Sequence, residues 1–368
     1  MKTNVLFVLA VVAALASGGV LAGLGGDSDA AGPLTVTDGE GREFQYDKPA
    51  DHVVTMGFAS TLTVVELGAV DKIIGVDHYS TYDYKKDERL KNLDATDLGS
   101  YYSASNNDLI ASTLVQWVEA GKMSLDDTVI LTAYSNSKAL RTILEGHGFT
   151  HVLVYLTITD YDQIVEFVND VSIAVTGGTS KLVDDMKAVR DAVNKGVAGV
   201  PEKSKGIAVW YTASTGEFTV GNTGSIAVSL IEAAGGVNPA RDASVGGTTY
   251  GNASTVLDML KDDADIVVFL SDVYINNNHT VTDFRNAVLG GDSSIKIVVL
   301  KDNWNNYCPD AAEGLWAVAS ALYPDLFAGE PPTADEGSDG VPVLYMAIGG
   351  VAAAIVIAAI ALYIMRRP

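Results

Sequence analysis

Near the middle of the chain, Ile164, Val165, Val168, Val171 and Val175 fall on one helical face, and Gly177 with Gly178 ends the run. Leu182, Met186, Val189 and Val193 then repeat at spacings of four, three and four through a second helix. About 30 largely helical residues thus join what lies on either side. A helical bridge resists the large hinge bending that flexible crossing strands allow. Two lobes on a stiff backbone place a binding cleft between the strand ends of both.

The two flanks read alike. His52–Thr55, Lys72–Val76, Thr128–Leu131 and His151–Tyr155 are short β-branched runs of the kind that form buried strands, and Ser60–Leu67 and Lys138–Gly146 between them read as helices. Runs at 206–210, 266–270 and 295–300 repeat the theme. The expected fold class is α/β, with two doubly wound α/β lobes joined by a long helical bridge. The expected boundaries are 34–157 for the first lobe, 158–197 for the bridge and 198–328 for the second lobe.

Both ends are apolar. Lys2, the run Val5–Ala16 and the small residues up to Ala22 describe a secretory signal peptide over 1–22, followed by a flexible leader over 23–33. At the other end, 329–340 combines Pro, Gly and acid and reads as a stalk, and 341–365 carries no charge ahead of Arg366 and Arg367. Twenty-five helical residues span about 37 Å, enough for a hydrocarbon core of about 30 Å, with the Arg pair on the cytoplasmic side. The expected location is the extracellular or periplasmic face of a membrane, anchored by this C-terminal helix. No Cys follows the signal run, so a lipid anchor is excluded, and a protein tether in its place points to an archaeal host.

Charge and cysteine content narrow the function. Residues 23–340 hold all 46 Asp and Glu but 21 Lys and Arg, a balance of about −25. Such a surface repels nucleic-acid phosphates and anionic lipid, so no nucleic-acid partner is expected. The single Cys308 excludes intrachain disulfides, thiolate zinc clusters and iron–sulfur chemistry. No G-x-S-x-G or H-E-x-x-H occurs, and the chain reads as a non-enzyme without a resident cofactor.

Residues 35–77 resemble the opening of the periplasmic binding proteins that serve ABC importers of ferric siderophores, haem and cobalamin. In that family a hairpin with a TDxxGRxVxxxxxPxRVV pattern precedes a helix, an LGxxDxIVGV strand and a ligand loop. Thr37, Asp38, Gly41, Arg42, Pro49, Val53, Val54, Leu67, Gly68, Asp71, Ile74, Gly75 and Val76 match, with His52 where an Arg is usual. Ser225–Pro239 is similar to the family's AGGxN helix end, and Glu313–Phe327 to its closing helix. The resemblance covers about 34–328. It implies a helix-bridged two-lobe fold, a monomer, and delivery of a metal-chelate cargo to a transmembrane permease.

In such a fold the ligand meets loops at strand C-termini. In the first lobe these hold Phe58, His78, Tyr79, Tyr82, Tyr84, Tyr101 and Tyr102; in the second, Trp210, Tyr211, Tyr250, Asp272 and, in the loop Asn303–Tyr307, Trp304. Flat aromatics with a polar tip suit a ring-bearing ligand, stacking on its faces and bonding its rim. Five scattered His disfavour a bare-metal site. Sparse Lys and Arg in these loops favour a neutral or mildly charged chelate, a hydroxamate or corrinoid, over a catecholate. The resemblance also implies one docking acid per lobe for the permease: Glu119 stands at the first position, while the second falls on Leu257, a departure from the family pattern, with Asp258 adjacent. Asn252 and Asn278 open N-x-S/T acceptor motifs, and Thr219–Ser225 reads as a glycine-rich turn. A surface sensor or adhesion domain using the same fold is the alternative.

Overall fold

The computed structural model describes residues 34–132, 135–156, 158–241, 250–252 (backbone only) and 265–336. The signal run 1–22, the leader 23–33 and the apolar segment 341–365 lie outside them. Among the described residues no helix is long and apolar enough to cross a membrane.

The chain opens with a two-stranded antiparallel hairpin, β1 (Leu34–Thr37) and β2 (Glu43–Tyr46). The first lobe is a parallel sheet of β3 (Val53–Met56), β4 (Ile73–Val76), β5 (Thr96–Asp97), β6 (Thr128–Thr132) and β7 (His151–Tyr155), in the order β5-β4-β3-β6-β7. The chain starts at the centre, builds outward on one side, then returns to build on the other. That reversal is the doubly wound signature, and it leaves a crevice beyond the C-terminal ends of β3 and β6.

Each crossover needs a helix. α1 (Phe58–Glu66) follows β3, and α2 (Tyr82–Lys85) is a short turn of helix after β4; α3 (Asn107–Glu119) leads to β6 and α4 (Ser137–Gly146) to β7. Val54, Met56, Val129, Leu131, Val152 and Val154 bury one sheet face under Ile110, Leu114, Leu140 and Leu144 of α3 and α4. Val53, Ile130 and Leu153 face the other way, toward the bridge.

The bridge consists of α5 (Tyr161–Thr176) and α6 (Lys181–Val197). Asp160 caps α5 by accepting from the Gln163 N–H, and Gly177 closes it at φ 85°. Ala50 N–H donates to Ala174 O, and Lys72 Nζ donates to Ala50 O and Val175 O. The end of α5 therefore abuts the N-terminal ends of β3 and β4. α6 ends eight residues before β8 (Lys205–Thr212), at the corresponding edge of the second sheet. α5 thus runs from the strand C-terminal side, just after β7, back to the N-terminal ends of β3 and β4, where α6 begins.

The second lobe orders β10 (Tyr250–Asn252), β9 (Glu217–Gly221), β8, β11 (Ile266–Ser271) and β12 (Lys296–Leu300). Here the expectation of a second doubly wound parallel sheet is corrected. β8, β11 and β12 are parallel, but β9 runs antiparallel to β8, and β10 antiparallel to β9. Only residues 213–216 separate β8 from β9, too few for a crossover helix, and Gly216 at φ 73° turns the hairpin. The stretch Thr219–Ser225, expected as a turn, is half strand; Ser225 caps α7 (Ile226–Ala233) through the Val228 N–H. α8 (Asp272–Asn276), α9 (Val281–Val288) and α10 (Ala311–Leu322) complete the lobe.

One apolar core runs through the hairpin, the first lobe's inner face, α5, α6, α7 and α10. Residues 329–336, the described part of the expected stalk, contact the body through Trp316 and α6.

Candidate functional site

Two switch points face the cleft: the ends of β3 and β6 in the first lobe, and of β8 and β11 in the second. At the first, Gly57 adopts φ 123°, and a Cβ there would sit 2.0 Å from Thr132 Oγ1. Its N–H donates to Asp77 Oδ1 at 2.9 Å. Asp77, fully buried after β4, also accepts from Tyr79 N–H and from the Ser80 hydroxyl. Burial pushes its carboxyl up, against the pull of those donors. This carboxylate ties the β3 turn to the β4 loop and so fixes the loop that carries the aromatic residues.

Four rings gather beyond β4 and β5. Tyr79 meets Tyr84 and Tyr102 edge-on at 4.8 and 4.7 Å, and His78 meets Tyr79 and Tyr84 at 5.7 and 5.6 Å. Tyr84 and Tyr102 are each about half exposed. His78 Nδ1 lies 2.9 Å from Asp97 Oδ2, which orients the imidazole. All four lie in the loops that the sequence places at the strand C-termini.

The other first-lobe candidates sit elsewhere. Tyr101 is fully buried: its hydroxyl lies against the carbonyl oxygens of Met56 and Thr132 and accepts from Thr132 N–H. It pins the ends of β3 and β6 rather than facing the cleft. Phe58 is buried in a cluster with Ala59, Leu62, Leu90 and, from the second lobe, Cys308; the Lys85 ammonium sits 4.3 Å above its ring. It is spent on lobe–lobe packing. Tyr82 donates to Glu88 Oε1 and lies beneath Lys86 and Lys91, outside the ring group.

In the second lobe, strand alternation separates two neighbours. Trp210 packs on the core shared with the bridge, whereas Tyr211 points through the sheet to Phe218, Tyr274 and His279. Tyr211 therefore belongs to an aromatic cluster under α9, with Tyr274 stacked on His279 at 4.4 Å. Asp272 opens α8 at the end of β11; its Oδ1 is buried without a hydrogen-bond partner, and burial raises its carboxyl. Trp304 rests on the core beneath Lys301, with Nε1 donating to Glu313. Only the backbone of Tyr250 is described, in β10.

The lobes touch through charge as well as packing. Arg89 donates to Asp310 by both terminal nitrogens, at 2.8 Å each, and also holds Asp87 and Glu66. Lys85 pairs with Asp302 at 3.2 Å, and Asn303 donates to Asp87. Beside these contacts a groove of about 320 Å³ runs between Leu156, Ile158 and Thr159 of one lobe and Gly224, Ser225, Ile226, Asn305 and Tyr307 of the other. Asn305 and Tyr307 share their loop with Trp304, the residue of that loop expected to meet the ligand. Ile158 and Ser225 carry no signal in the sequence that separates them from ordinary helix flanks.

Of the expected docking pair, Asp258 lies outside the described residues. Glu119 is exposed but ends α3. A crossover helix runs antiparallel to its strands, so Glu119 stands at the far end of the lobe from the aromatic group. Among the described residues no three His, Cys, Asp or Glu converge on a metal-sized site. Asn278 is exposed at φ 64°, and Thr280 of its motif caps α9 in a capping box with Asp283.

No protein-family model matches the sequence, and no curated protein matches it. Solved structures do. Helicobacter pylori CeuE in complex with Ni-His superposes with a TM-score of 0.57 at 16% identity, covering 80% of this chain and 89% of that one. The periplasmic heme-binding protein RhuT from Roseiflexus sp. RS-1, in apo form, gives 0.56 at 17%, covering 75% and 98%. The heme binding protein HmuT gives 0.55 at 16%, covering 81% and 92%. The chain has the fold of periplasmic binding proteins of the ferric-siderophore and haem type.

Proposed function

We propose that this chain is an extracytoplasmic solute-binding protein that captures a metal chelate between its lobes and delivers it to an ABC permease. The observation that carries this reading is the ring group of His78, Tyr79, Tyr84 and Tyr102 at the strand C-termini of a helix-bridged two-lobe fold. Ring edges and hydroxyls together suit the face and rim of a flat, ring-bearing chelate. The Asp97–His78 pair favours an iron-bearing ligand, because a carboxylate on Nδ1 fixes the ring's orientation and leaves the other nitrogen as a metal donor. Haem and corrinoids fit these features better than a highly anionic catecholate, for which the site supplies few cations. Binding rather than turnover is the role proposed, because the similar solved structures include heme-binding proteins.

Titration of the full chain in detergent with haem, cobalamin, ferric hydroxamates, ferric catecholates and free divalent metals tests the reading. Tryptophan quenching and native mass spectrometry would report occupancy. Saturable submicromolar binding of one chelate, weakened at least tenfold by His78→Ala or Tyr79→Ala, is the expected result. A folded sample that binds nothing in the panel would sink it.

A further inference from the structure

The last described residues do not leave the body where they first could. Phe327 packs against α6 near its C-terminus, where a Cβ on Gly196 would lie 2.4 Å from the ring. Trp316 Nε1 then holds Gly329 O at 2.9 Å. Pro331 and Pro332 stiffen the chain in extended form. At the other end of α6, Ala334 N–H donates to Asp185 Oδ1 at 2.8 Å, and Asp335 pairs with Lys181 at 3.2 Å. The seventeen residues of α6 rise about 25 Å, and the eight steps from Phe327 to Asp335 cover about the same length when extended. This segment is a strap laid along the back of the bridge.

Its exit point has a fixed place in the fold. The start of α6 adjoins the end of α5, which abuts the N-terminal ends of β3 and β4. The aromatic rim stands at the opposite ends of those strands. After residue 336, only 337–340 precede the uncharged run 341–365. Four residues reach about 14 Å at full extension.

We propose that the strap fixes how the protein stands on its membrane: the N-terminal strand ends of the first lobe inward, and the aromatic rim at their opposite ends away from the bilayer. Capture from the medium is served by that orientation. A permease in the same bilayer is reached only when the strap peels off α6, which lengthens the tether to twelve residues, about 40 Å. The ion pair that holds it is exposed, Lys181 at 54% and Asp335 at 79%, so it is weak enough to open and close. The inference rests on reading 341–365 as a membrane span and on the binding role proposed above.

The test uses the full chain in neutral-lipid vesicles. Cys308 is buried, so a single fluorophore is placed by Ser105→Cys near the rim or by Thr179→Cys beside the strap exit, with acceptors on lipid headgroups. Energy transfer from position 179 should exceed that from 105 at least twofold. Lys181→Ala with Asp185→Ala should collapse the ratio toward one, and Asp335→Lys, which reverses one partner, should act the same way. Equal transfer in the parent protein, or a ratio that ignores both strap variants, would overturn the proposal. Failure to float with vesicles would overturn it through its premise, while chelate titration would still decide the binding role independently.

Discussion

Arg89 and Asp310, 221 residues apart in sequence, meet across the lobes with both guanidinium nitrogens 2.8 Å from the two carboxylate oxygens. Their side chains are 31% and 17% exposed, so the pair is only partly screened by water. A double-mutant cycle on Arg89→Ala and Asp310→Ala should return a coupling of about 1–3 kcal/mol in urea unfolding. Small-angle scattering of Arg89→Ala should show a larger radius of gyration, because, of the polar contacts named above, Lys85–Asp302 and Asn303–Asp87 would then be left to bridge this edge. A coupling near zero would mean that the apolar contact of Phe58 and Cys308 sets lobe spacing by itself.

Gly57 allows no side chain. With φ at 123° and Thr132 Oγ1 2.0 Å from where a Cβ would stand, Gly57→Ala should cost about 3 kcal/mol or more. Adding Thr132→Ala removes the hydroxyl clash but not the backbone strain, so it should recover part of the loss. Full recovery would show that backbone strain at Gly57 is negligible.

Tyr101→Phe leaves the ends of β3 and β6 without their shared hydroxyl. Stability should fall by about 1–2 kcal/mol, while affinity for the chelate identified by titration stays within twofold. An affinity loss larger than the stability loss would move Tyr101 back among the ligand-contacting residues.

Asp170, on α5, receives the Tyr155 hydroxyl at 3.2 Å. Burial, with Glu166 and Asp38 adding to it, raises its carboxyl to about 7, despite the opposing effect of that hydrogen bond. The folded state thus holds this proton more tightly than the unfolded chain does. Its contribution to stability is complete below about pH 4 and is lost as pH rises through about 7. Asp170→Asn should flatten the Tm profile over that window and raise Tm at pH 8. An unchanged profile would assign the pH dependence to other groups.

Much of the fold was legible because it is local. The apolar spacing of α5 and α6, the Gly177 stop and the β-branched strands each declare themselves within a dozen residues. The position of Glu119 was also within reach, since a crossover helix must end where its next strand begins. What stayed hidden depends on partners far away in sequence. Nothing around Phe58 announces that Cys308 will cover it. Tyr101 and Tyr102 are adjacent and chemically alike, yet one is sealed by two backbone carbonyls and the other half exposed. The strand that carries Trp210 and Tyr211 was recognised, but a pair of neighbours in a strand cannot face one cleft together, and that alternation was the unused clue. The antiparallel β9 escaped because a four-residue hairpin leaves no apolar periodicity of its own.

The apolar core that threads the hairpin, both lobes and the bridge has a consequence for how the molecule comes apart. Neither lobe ends at a surface of its own on the bridge side; each finishes against Val168, Val171, Val189 or Val193. Cutting the chain between α5 and α6 would leave two fragments with matching greasy faces, which would find each other or aggregate. The lobes are two in shape, but a core shared this way should melt as one cooperative unit, in a single transition that no lobe-specific probe splits.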